Sequence, residues 1–175
     1  MSYTISQIRG SKPESLVTAS TDADDSAKRV DAQIAQSRRQ FGELATAWTG
    51  TAAQAAQDQN ADLARHQEAY RDRLLDVKDV LALRGPRLVD LRSNLDSAVD
   101  DAEDWWIVGD DGSVVPGVML TWFAKLSDET ALIVRARQLD VESKLKLLIA
   151  QFEAEDKATA YELRSIGWNE EVAPA

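Results

Sequence analysis

The sequence predicts an all-α protein: an elongated antiparallel helical bundle carrying a short β-hairpin-like insertion. Three observations predict it. Apolar residues recur at alternating spacings of three and four through long runs on both sides of Trp48-Thr49-Gly50, which is the period of a helix face. The tripeptide sets a bulky indole two residues before a glycine where one run stops and the next begins. That specifies a tight helix–turn–helix, with the indole anchoring the corner and Gly50 supplying backbone freedom. Further on, Asp111-Gly112 lies between two short β-branched stretches, the turn chemistry of a hairpin.

The first helix is expected to start near Ser11. Ser11 can cap it, Pro13 is tolerated in the first turn, and Glu14 stands where a capping box wants it. From there Leu16, Ser20, Ala23, Ala27, Val30, Ile34, Ser37, Phe41, Leu44 and Trp48 form one seam of about five heptads. Its members are small or polar at first and large near the corner, so packing should be tightest close to Trp48. Beyond Gly50 the seam resumes with Ala52, Ala53, Ala56, Leu63, Tyr70, Leu74, Val77 and Leu81, with Asn60 and Gln67 as polar members. So short a connection makes the two helices antiparallel neighbours.

Gly85-Pro86 then predicts a kink or break, because proline lacks the amide that helix continuation uses. Leu88, Leu91, Leu95, Ala98 and Ala102 give a third helix over 86–104. Residues 105–117 read as a hairpin or loop, which must lie against the bundle because an isolated two-stranded hairpin is marginal in water. A short amphipathic turn over 118–126 follows. A helix start at Ser127-Asp128-Glu129-Thr130 then opens a long run with Leu132, Leu139, Val141, Leu145, Leu148, Ile149 and Phe152 as its buried positions. Gly167 is its C-cap. The reading is a single helical domain over 1–175, divided into 11–84, 86–104, 105–117, 118–167 and a tail at 168–175.

Composition excludes several function classes. With 20 Lys+Arg against 30 Asp+Glu the net charge is -10, which argues against non-specific nucleic-acid binding and against docking on anionic lipid. No apolar run reaches the length that membrane insertion needs, and the first twelve residues hold no signal-peptide core. No cysteine is present, so thiolate metal sites and disulfides are absent. His66 is the sole histidine, and no motif supplies a partner for catalysis or a di-iron site. The carboxylates at 100–104 and 110–111 lack the ligand order of a calcium loop. Trp105-Trp106 reads as cover for a core edge. No enzyme, metal or cofactor is expected.

Trp48-Thr49-Gly50 between two antiparallel helices, followed by the small-residue stretch Thr51-Ala52-Ala53-Gln54-Ala55, resembles the Trp-x-Gly (WXG) family of type VII (ESX) secretion substrates, most strongly over 13–83. The resemblance implies a non-enzymatic secretion substrate or secretion-targeting domain, made in the cytoplasm and exported to the surface or beyond without a signal peptide. It implies pairing with another helical WXG-type protein or a second copy, and recognition by the membrane-bound secretion ATPase machinery. Trp48 and Gly50 would be the recognition motif, supported by Phe41, Leu44 and Ala53. Residues beyond Gly85 exceed the smallest members and look more like the N-terminal targeting modules of actinobacterial secreted proteins. The family's export signal, a tyrosine followed four residues later by Asp or Glu, is missing: Tyr70 precedes Leu74 and Tyr161 precedes Ser165. The signal is then left to a partner or to sequence past 175, unless export does not apply. The rival reading is a cytoplasmic coiled-coil-like scaffold that self-associates through its long helices.

Overall fold

A computed structural model describes residues 3–167. It shows the all-α architecture with a short β insertion that the periodicity predicts: α1 (Ile5–Gly10), α2 (Glu14–Ala47), α3 (Thr51–Glu103), β1 (Trp106–Val108), β2 (Val114–Pro116), α4 (Val118–Ala124) and α5 (Asp128–Ser165). The chain forms two compact units. One contains Ser15–Leu83 with the residues from Glu162 on, and the other contains Arg84–Tyr161 with the N-terminal residues through Glu14.

In the first unit α2 and the start of α3 run antiparallel, as three cross-helix contacts show. The Ser20 hydroxyl donates to the Lys78 carbonyl at 3.1 Å, Arg71 reaches Asp31 at 2.9 Å, and Ser37 Oγ donates to Asn60 Oδ1 at 3.2 Å. Ser20, Ala23, Ala27 and Ile34 of α2 are buried, as are Ala53, Leu74 and Leu81 of α3. Packing tightest near Trp48 is therefore not what the seam does. Small residues are the covered ones, Ser20, Ala23 and Ala27 at the far end and Ala53 beside the corner, because alanine and serine let two backbones approach, while Leu44 and Trp48 stay half in water. Leu63 and Tyr70, expected in the seam, are also exposed, and Ala64 and Arg71 beside them are the partly covered positions.

The break expected at Gly85-Pro86 is absent, since α3 continues through Pro86 as one helix. A proline inside a helix costs about 3 kcal/mol. Leu81, Leu88 and Leu95 are buried at seven-residue intervals across it, and each contributes about 1.5–3 kcal/mol of burial that a broken helix would put out of phase. Burial outweighs propensity. Arg84 and Arg87 flank the proline and meet Glu155 of α5 at 2.9 and 3.8 Å.

The second unit holds the largest fully buried side chains: Ile8, Leu88, Leu95, Val99, Val114 and Leu145. Its α1 is an element the sequence reading missed, although Thr4 and Gln7 form a capping box at its start. Ser11 closes α1 by donating to the Ile8 carbonyl from both amide and hydroxyl, and α2 starts only at Glu14. Ser11 is thus a C-cap where an N-cap was expected. The hairpin pairs Trp106 with Pro116 and Val108 with Val114. Trp105 and Trp106 part company, Trp106 buried as the first residue of β1 and Trp105 57% exposed in the turn that precedes it. The turn closes through Gly109 N–H to Ser113 O and Gly112 N–H to Gly109 O, with Gly112 at φ +80. A side chain at Gly112 would also press Ile149 Cδ1 at 3.1 Å, so the tip lies directly against α5. The Ile5 amide donates to the Asp110 carbonyl, and Gln138 donates to the Val114 carbonyl.

The short element over 118–126 and the new helix start at Ser127 are both present: α4 ends at Ala124, α5 begins at Asp128, and the Ser127 hydroxyl accepts the Thr130 amide at 3.2 Å. The core face of α5 is Val134, Leu145, Ile149, Phe152 and Thr159. Leu132 and Leu139 are 71% and 51% exposed. Helical phase rather than residue type decides these positions: the row through Leu145 passes Val134, Gln138 and Val141. Gly167, at φ +65, donates its amide to the Arg164 carbonyl where the C-cap was expected. The tail from 168 lies outside the described residues.

Candidate functional site

The corner between α2 and α3 is built from Trp48, Thr49 and Gly50. The Trp48 amide still bonds the Leu44 carbonyl at 2.9 Å, so α2's last turn extends under the tryptophan. Gly50 turns the chain at φ +111, a conformation that side chains reach only with strain. Its carbonyl accepts the Gln54 amide at 3.0 Å and so opens the ladder of α3. No atom stands within 4 Å of where a Cβ would be. The glycine is therefore required by dihedral angle alone, not by crowding.

Around this turn the five expected site residues separate by burial. Ala53 is buried at 3% exposure and brings the two helices together. Phe41 is half-buried. Leu44 and Trp48 are 52% and 47% exposed, one turn apart on α2 and hence on one face. The tryptophan is not sealed in a core, and it presents an apolar surface beside a tight backbone. Burying the remaining halves of Leu44 and Trp48 under another protein would contribute about 2–3 kcal/mol.

Polar contacts lie along the same two helices. Arg38 pairs with Glu68, and Gln54 Nε2 donates to Asp58 at 3.2 Å. His66 is exposed on α3. Among the described residues no group of three or more His, Cys, Asp and Glu is arranged to hold a metal ion, and no helix is long and apolar enough to cross a membrane. The Asp110 and Asp111 carboxylates serve the hairpin. Ser6 donates to Asp110, chiefly setting its pKa below the ordinary aspartate value, and Ser113 does the same for Asp111. What the corner can do is bind, through apolar contact and an exposed indole. A second exposed apolar face, on α4, went unforeseen, though its run Val118-Met119-Leu120 and Trp122-Phe123 was in view.

Residues 11–85 match the family described as WXG100, proteins of 100 residues with WXG. The match covers fewer than half of the chain's residues and ends where the second compact unit takes over. Neither a curated protein nor a solved structure matches the chain.

Proposed function

We propose, from the premise that residues 11–85 are a WXG-family helical hairpin, that this chain is a non-enzymatic type VII secretion substrate or secretion-targeting domain that works by pairing helices. One observation carries the reading: within the matched segment, Leu44 and Trp48 stand half-exposed at the open end of a seam whose other end is packed. A hairpin that needed its tryptophan only for folding would cover it. The partner we propose is another WXG-type helical hairpin, seated on Phe41, Leu44 and Trp48 against the small-residue start of α3. The composite surface would then be read by the secretion ATPase.

Residues 86–167 lie beyond the family's hairpin, and in this proposal they extend it into a targeting module of an actinobacterial secreted protein. The missing tyrosine export signal would come from the partner or from sequence past 175. The test is titration of the isotope-labelled chain with small WXG proteins encoded beside it. Shifts confined to residues near 41–53, lost in Trp48→Ala and Leu44→Ala with helix content unchanged, support the pairing. Saturable binding that ignores both substitutions refutes it.

A further inference from the structure

Helix α4, Val118–Ala124, buries none of its seven residues. Val118 is 86% exposed, Met119 64% and Trp122 62%, and Trp105, Phe123, Leu126 and Ile133 near it are exposed as well. The largest apolar patch on a typical monomer is about 300–600 Å². At about 150–250 Å² per large aromatic, Trp105 and Trp122 alone leave roughly 200–300 Å² in water. The aliphatic neighbours extend the face toward the about 800 Å² per partner of a stable interface. Beside the α4 ridge runs a groove of about 220 Å³, lined by Trp105, Leu120, Phe123, Ile133 and Arg137. Ridge and groove on one face are what a two-fold interface requires.

Charge selects the occupant. Glu129, Ile133 and Arg137 form one row of α5 at four-residue spacing, and among the described residues the side chains of Glu129 and Arg137 make no hydrogen bond or ion pair. Rows of this spacing are the ridges by which helices cross. A two-fold axis through Ile133 sets each Glu129 against the other copy's Arg137, about 6 Å to either side. The chain's net charge of -10 opposes self-association, but this rim is balanced, with Lys125 and Arg137 against Asp128 and Glu129. A lipid surface would accept the tryptophans and methionine but has no use for so ordered a pair of opposite charges.

We propose that the α4 face, with the Glu129–Ile133–Arg137 row of α5, is the interface through which this chain forms a two-fold homodimer. All of these residues lie within Arg84–Tyr161, so the proposal stands apart from the pairing role of the WXG hairpin. Sedimentation equilibrium of the full chain from about 1 to 100 µM tests it. Wild type should dimerise in that range. Glu129→Arg and Arg137→Glu should each weaken the dimer by about tenfold or more, because a two-fold axis counts each clash twice. The double swap should restore it, and Trp122→Glu should abolish it with helix content unchanged. A strict monomer would overturn the proposal, as would a dimer insensitive to the single reversals, a double swap that fails to rescue, or a dimer lost in Trp48→Ala but kept in Trp122→Glu. A monomer whose tryptophan fluorescence shifts on neutral phospholipid vesicles would reassign the face to a membrane.

Discussion

The Trp48 amide donates to the Leu44 carbonyl at 2.9 Å, and that one bond holds two half-exposed side chains a turn apart on the same face of α2. The buried positions of α2 are Ser20, Ala23, Ala27 and Ile34 instead. The corner therefore presents an apolar surface beside its turn.

Trp48→Ala should then cost less than a core tryptophan would. Truncating a buried large aromatic costs about 3–5 kcal/mol. With the indole 47% exposed, we expect roughly half the lower value, about 1–2 kcal/mol. Urea midpoints at unchanged slope measure it. A loss of the full core magnitude would mean that the indole is a packing residue.

Gly50→Ala should also destabilise, and for a different reason. Nothing occupies the space a Cβ would enter, so only strain at φ +111 opposes it, about 1–2 kcal/mol. Gly50→Asn should recover part of the loss, because asparagine tolerates positive φ best among the other residues. Thermal midpoints of the two variants against wild type check the order.

Pro86→Ala should stabilise. The helix already runs through this position, so alanine adds the missing amide and removes the ring clash without asking the backbone to move. A gain of about 1–3 kcal/mol in chemical denaturation is expected. A loss would show that the proline's shape is used in packing.

The sequence made the helices and hairpin legible because period, turn residues and the Trp-x-Gly corner agree with one another. It concealed which seam positions are covered. Leu132, Leu139 and Leu63 were chosen for their residue type, yet phase gave their places to Val134, Gln138 and Ala64. At Pro86 local propensity allows a break, and burial of Leu81, Leu88 and Leu95 at seven-residue intervals keeps the helix continuous. The α1 helix is six residues long, too short for a periodic signal, and only its Thr4–Gln7 capping box announced it. The corner itself was placed correctly, but its packing was inverted: large residues near Trp48 suggested a core, and they are its open end.

Acidification should loosen α1 from the hairpin tip. The Ser6 hydrogen bonds hold the Asp110 pKa below the ordinary aspartate value. The stability this provides is present above about pH 4 and is lost as pH falls through the lower folded value. At the alkaline end, the hydrogen bond to Asp156 raises the pKa of Tyr3, so that contact persists above the usual phenol range before it fails. Following the Ser6 amide by NMR from neutral to strongly acidic pH should show a transition that Asp110→Asn removes.

The most direct measurement compares culture filtrates of the native host with its type VII secretion ATPase intact and deleted, for the tagged wild-type chain and for Trp48→Ala. The pairing account predicts wild-type protein in the filtrate only when the ATPase is present, and much less of the variant although both accumulate equally inside the cell. Wild-type protein retained despite an intact ATPase, or released equally without it, would contradict the account.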